Sequence, residues 1–156
     1  MSLSSIITDL NTVATAYSSL EDFSYNEIHN VNEASNSFPM LLVNKRSLDF
    51  EVQTFSRLGL PNQTTLGLQL YFFNTYTELE KESTTLQAKQ QELLDISLQF
   101  IAEIRKRYES TDYPFNITDV SYNVIDESHN ERLIQISVNL TYMIKINDCT
   151  LGTFNY

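Results

Sequence analysis

The stretch Glu78–Glu109, ELEKESTTLQAKQQELLDISLQFIAEIRKRYE, decides the fold together with the two runs that flank it. Leu79, Leu86, Leu93 and Phe100 recur at one helical position, with Leu94, Ile101 and Tyr108 beside them. That spacing gives a long helix one dry face and one wet face. Before it, LGLQLYFFNTY (Leu66–Tyr76) places Leu66, Leu68, Leu70 and Phe72 on alternate positions. After it, RLIQISVNLTYMIKI (Arg132–Ile146) puts Leu140, Tyr142, Ile144 and Ile146 on one side and Asn139, Thr141, Met143 and Lys145 on the other. A helix laid across a mostly antiparallel sheet follows.

Toward the N-terminus, Leu3, Ile6, Ile7, Leu10, Val13, Ala14 and Tyr17 recur at helical spacing, so Leu3–Leu20 reads as a short helix. Ser2, Ser4 and Ser5 are suited to cap its start. Glu21–Ser37 is polar, asparagine-rich and without periodicity, yet it carries Phe23, Tyr25, Ile28 and Val31. It reads as an ordered arm laid over the surface or onto a neighbouring copy. Met40–Val43 is a short apolar run, and Leu48–Phe55 alternates apolar residues with Asp49, Glu51 and Gln53. Gly59 and Pro61 mark Arg57–Thr64 as a loop. Thr77 and Glu80 have the spacing of a capping box. Tyr113-Pro114 closes the helix, and Phe115–Asp126 forms a further strand, joined to Arg132–Ile146 by a turn at Glu127–Glu131. The expected class is α+β, with a mostly antiparallel sheet of about five strands, one long helix packed across it and a short N-terminal helix. Residues 1–156 make one domain: helix 3–20, polar arm 21–37, sheet and long helix 38–146, tail 147–156.

Charge and composition narrow the function. The chain has 20 acidic and 10 basic residues, a net charge of −10, which opposes free nucleic-acid binding. Arg105, Lys106 and Arg107 stand together, where cations complement a helix C-terminus. Cys149 is the single cysteine, so no internal disulfide forms, and it reads as a small packed residue. The N-terminus lacks a signal-peptide pattern, and no apolar run approaches the roughly 20 residues that span a bilayer. A cytosolic protein without a membrane role is expected.

Equipment for chemistry is missing. Gly59, Gly67 and Gly152 fit neither common phosphate loop, and His29 and His129 have no metal-ligand neighbours in the chain. No serine stands in a glycine-flanked elbow. Asp119, Asp126, Glu127 and Glu131 are the carboxylates that an acid–base or cation site would use, against a plainer reading as a solubilising rim. Glu78, Glu80 and Glu82 suit the positive end of a helix. No catalytic residue, cofactor or metal is expected. Tyr71, Phe73 and Tyr76 leave the third strand apolar on its second face as well. Either the N-terminal helix or another subunit covers that side.

In layout the chain resembles the tail-terminator (tail-completion) and related neck proteins of tailed bacteriophages. The stretches that carry the likeness are Phe38–Val43 (FPMLLV), Leu68–Phe73 (LQLYFF), the long helix, and Leu133–Ile146 followed by Asp148-Cys149. The arm 21–37 departs from that layout. The resemblance implies a structural virion subunit, not an enzyme. It implies a ring in the neck that ends tail-tube growth, joins tail to head, and lets double-stranded DNA through as passing cargo. The implied partners are other copies of the chain and neck, adaptor or tail-tube proteins, in a virion assembled in the host cytoplasm. On that reading Phe23, Tyr25, Ile28, Arg57, Leu58, Leu60, Tyr71 and Phe73 are the expected subunit contacts. Asp49 and Glu51 are the expected acidic residues toward the lumen, where like charge keeps phosphates off the wall. The competing readings are a small ligand-binding or adaptor domain with an apolar pocket between helix and sheet, and an enzyme using the scattered carboxylates.

Overall fold

The computed structural model describes residues 3–32, 34–45, 49–55, 61–77, 80, 84–109, 115–125 and 132–145. Its elements are α1 (Leu3–Ala16), β1 (Asp22–Asn26), a 3-10 turn (Ile28–Asn30), β2 (Met40–Asn44), β3 (Asp49–Phe55), β4 (Pro61–Thr75), α2 (Thr84–Tyr108), β5 (Phe115–Ile125) and β6 (Leu133–Lys145). The class is α+β with a mostly antiparallel sheet, as the periodicities predict. The sheet has six strands in the order β1-β2-β4-β6-β5, with β3 also paired to β4.

The long strands β4 and β6 form the spine, paired from Gln63↔Lys145 to Thr75↔Leu133. At roughly 3.3 Å per residue, β4 runs about 50 Å. Its free side is shared along its length. Asp49–Phe55 pairs with Gly67–Pro61, and Met40–Val43 pairs with Phe73–Leu70. The sheet is therefore one strand wider at the end that carries β1.

Both helices lie on one face. Along α2, Leu93, Ile96, Ser97, Phe100, Ile101, Ile104 and Tyr108 are buried, the stripe expected of a helix on a sheet. They meet Leu66, Leu68, Leu70 and Phe72 of β4 and Ile134 to Tyr142 of β6, on alternate positions. Phe72 and Phe100 meet edge to face at 5.6 Å. α1 adds Ile6, Leu10, Val13 and Ala14 to the same core.

Three expectations change. The arm 21–37 lies over its own subunit and contains a strand, where no periodicity announced one. Asp22–Asn26 is a strand parallel to β2, and Glu21 N–H donates to the Pro39 carbonyl at 2.8 Å. The Phe38-Pro39 peptide is cis. Second, Pro61–Thr64 belongs to β4 instead of a loop: Pro61 pairs with Phe55 of β3, and Gln63 and Thr64 have partners in both β3 and β6. Third, the described part of the long helix starts at Thr84, with no acidic residue in its first turn. Glu80 lies in the turn before it, and Glu78 and Glu82 lie outside the described residues.

Candidate functional site: the helix-free face of the sheet

The face of the sheet away from the helices has two parts. At the β1 end, Met40, Leu42, Tyr71, Phe73 and Leu133 form a second apolar cluster, closed by Val31, Ile28 and Phe38. Tyr71 is 8% and Phe73 1% exposed, and their rings stack at 6.0 Å. This corrects the expectation that α1 or another subunit covers the aromatic line. Ile28, Val31 and Phe38 of the chain itself cover Tyr71 and Phe73, which are interior residues of the subunit, while Tyr76 joins the main core on the helix side.

Asparagines hold that cover in place. Asn26 Oδ1 accepts from Glu27 N–H at 2.8 Å and from Asn30 Nδ2 at 2.9 Å, which ends β1 in a tight turn. Asn32 Oδ1 accepts from Ser35 N–H at 2.8 Å. Asn36 Nδ2 donates to Asp22 Oδ2 at 3.1 Å. Side chains here satisfy backbone groups that no helix or strand partners. The asparagine content that suggests a loose arm is the means of ordering it.

Beyond that cover the face is polar. Asn44, Gln69, Asn139 and Ser121 stand in one row across β2, β4, β6 and β5. Asn44 Nδ2 donates to Gln69 Oε1 at 3.5 Å, and Asn139 Nδ2 to Ser121 Oγ at 3.3 Å. Burial raises the Tyr71 phenol above its usual range, and hydrogen bonds with Asn44 and Gln69 offset part of the rise. Thr65, Thr141 and Met143 continue the face along the spine. None of its described side chains is charged, while Lys145 and Asp119 hold register positions opposite Gln63 and Thr141 with side chains outside the described residues. Asp49 and Glu51 hold register positions opposite Gly67 and Thr65 at its margin, and their side chains lie outside the described residues.

The other expected contact residues fall in different settings. Phe23 packs on the main core and Ile28 on the second cluster, whereas Tyr25 is 39% exposed on β1. Arg57, Leu58 and Leu60 lie outside the described residues. The carboxylates of Asp119, Asp126, Glu127 and Glu131 do as well, as does Cys149.

One polar constellation escapes sequence reading because its members lie far apart in the chain. Asp9 on α1 pairs with Arg107 at the end of α2 and accepts a hydrogen bond from the Tyr108 hydroxyl at 2.6 Å. The Tyr108 ring meets Tyr142 of β6 edge to face at 5.7 Å. Burial raises both phenols well above 10, and the Asp9 charge adds to the effect. Neutral tyrosines and a paired Asp9 make this a clamp joining α1, α2 and the sheet. Beside it, a cavity of about 390 Å³ opens between the helices, lined by residues that include Tyr17, Gln99, Glu103 and Arg107. Its Tyr17 hydroxyl donates to Gln99 Oε1 at 2.6 Å, a bond that ties the two helices together across it. It lies between α1 and α2, unlike the helix-to-sheet pocket that a ligand-binding domain predicts.

Among the described residues no group of three or more His, Cys, Asp or Glu is placed to hold a metal ion. No described helix is long and apolar enough to cross a membrane. No protein-family model matches the sequence, and no curated protein matches it.

Proposed function

We propose that the protein is a structural, non-enzymatic subunit of a homomeric ring, acting in the neck or tail end of a tailed-bacteriophage virion as a terminator or completion protein. One observation carries the reading: a helix-backed sheet whose opposite face, beyond the apolar cluster closed by Ile28, Val31 and Phe38, is a polar row whose described side chains, Asn44, Gln69, Asn139 and Ser121, carry no charge. Amides and hydroxyls do not hold phosphates as fixed cations do, so a DNA duplex can slide past such a row. With the helices outward, such faces arranged about an axis give a channel with a smooth polar wall. The chain's excess of acid, net −10, also repels DNA from any surface it finds first. Neck, adaptor or tail-tube proteins are the partners above and below, and double-stranded DNA is the cargo.

Native mass spectrometry tests the reading. The expected spectrum shows one closed oligomer, at a single integral multiple of the 18.0 kDa chain. A protein that stays monomeric at every concentration, alone and with tail tubes added, contradicts it.

A further inference from the structure

The two ends of the sheet match one another. Taking β4 as pointing up, β2 and β6 point down because both are antiparallel to it. β1 is parallel to β2 and so points down, while β5 is antiparallel to β6 and so points up. If a second copy continues the sheet in the same orientation, its β1 meets the first copy's β5 as an antiparallel neighbour.

The levels agree as well as the directions. Ser24 pairs with Leu42, Leu42 with Tyr71, Tyr71 with Ser137 and Ser137 with Asn123, one unbroken row from edge to edge. The same tracing sets Asp22 level with Ile125 and Asn26 level with Ser121. All five residues of β1 therefore face the segment Ser121–Ile125.

That segment lacks the devices by which proteins guard an edge. Val120–Ile125, VSYNVI, has no charge, proline or glycine, and the irregularity in β5 falls before it, between Ile117 and Asp119. β3, the other edge level with the rest of β5, is guarded. It carries Asp49 and Glu51, and its register shifts twice between Val52 and Phe55. Among the described residues no strand pairs with the outer edge of β5 or of β1.

We infer that the outer edge of β5, at Ser121–Ile125, adds to β1, at Asp22–Asn26, of a second copy, so that the sheet runs unbroken from subunit to subunit. This rests on the ring reading and names its joint. The contact is head to tail, with different surfaces on the two sides, and such contacts make a ring where the rotation from one subunit to the next closes. Backbone hydrogen bonds supply the affinity, and strand direction fixes the orientation. Tyr25, exposed on β1, lies at this joint.

Disulfide trapping tests it in the full chain carrying Cys149→Ser. Residues opposite one another in an antiparallel pair have Cα atoms about 4.5–5.5 Å apart, within reach of a disulfide. Within one chain, Ser24 and Asn123 stand four strand spacings apart, about 19 Å, so any bond between them joins two copies. Ser24→Cys with Asn123→Cys, or with Ser121→Cys or Ile125→Cys where neighbours are staggered by two residues, should give a covalent ladder on mild oxidation. The top of that ladder should match the oligomer seen by native mass spectrometry of the unmodified protein. Dimers from Asn123→Cys alone show β5 pairing with itself and overturn the inference. A ladder from Glu51→Cys with Asn123→Cys and none from the Ser24 pairs moves the joint to β3 and overturns it too. Rings by mass without any ladder reject the joint and leave the ring standing, while a monomer without a ladder rejects both.

Discussion

At the scale of single residues, Asp9 carries more of the architecture than any other polar side chain described. It is mostly buried, and its two oxygens go to Arg107 and to the Tyr108 hydroxyl. Removing it leaves the buried Tyr108 phenol without its acceptor, while the Arg107 guanidinium, about a third exposed, turns to water. Each lost partner of a buried hydrogen-bonding group costs about 1–3 kcal/mol. Asp9→Ala should therefore destabilise the subunit by about 1–3 kcal/mol, read from the urea midpoint at unchanged slope. A loss below about 0.5 kcal/mol, the scale of an ordinary surface change, contradicts the clamp. None of this was legible in sequence. Asp9 reads as one polar position on an amphipathic helix, and Arg107 as a helix-end cation. Only tertiary packing brings the two within reach.

At the scale of elements, legibility follows the length of the periodic signal. β4, β6 and α2 repeat their patterns over many residues, and their existence and type were readable. β1 has five residues, and its alternation of Phe23 and Tyr25 with Asp22, Ser24 and Asn26 is too brief to stand out. Asp and Asn are also poor strand formers, so local preference argued against it and pairing with β2 prevailed. Likewise Pro61 suggested a loop where pairing with β3 imposes extension. The entry to α2 makes a further test. Thr77 N–H donates to Glu80 Oε2 at 2.8 Å, and Lys89 Nζ donates to the same oxygen at 3.1 Å. Lys89 Nζ also reaches the Thr75 carbonyl at 3.2 Å, tying the end of β4 to the helix. The backbone bond from Thr77, then the Lys89 contact, lowers the Glu80 pKa below its ordinary 4.5. A lowered carboxylate contributes stability that is complete above 4.5 and is lost as pH falls through the folded-state value. Glu80→Gln should thus be less stable than the parent at pH 7, with the gap closing on acidification below 4.5. Paired denaturation curves across that range give the answer, and a gap that stays constant with pH contradicts it.

At the scale of the whole molecule, one face is finished and the other is not. The helices seal the main core, and residues 28–38 seal a second, smaller one. What remains open is a polar sheet surface and two edges of matching direction and level. The sequence announced the polar side of β6 through Asn139, Thr141 and Met143, but not its extent. The row Asn44, Gln69, Asn139, Ser121 exists only once four strands are in register. The aromatic line at Tyr71 and Phe73 pointed to an uncovered face, and the structure moves the unsatisfied surface from that face to the strand edges. The most direct test of a ring with its polar face inward is a cryo-electron microscopy reconstruction of the assembled protein. The expected reconstruction is a closed ring with α1 and α2 on its outer wall and the Asn44–Gln69–Asn139–Ser121 row on its channel. A ring with α2 lining the channel, or particles that remain single subunits, contradicts it.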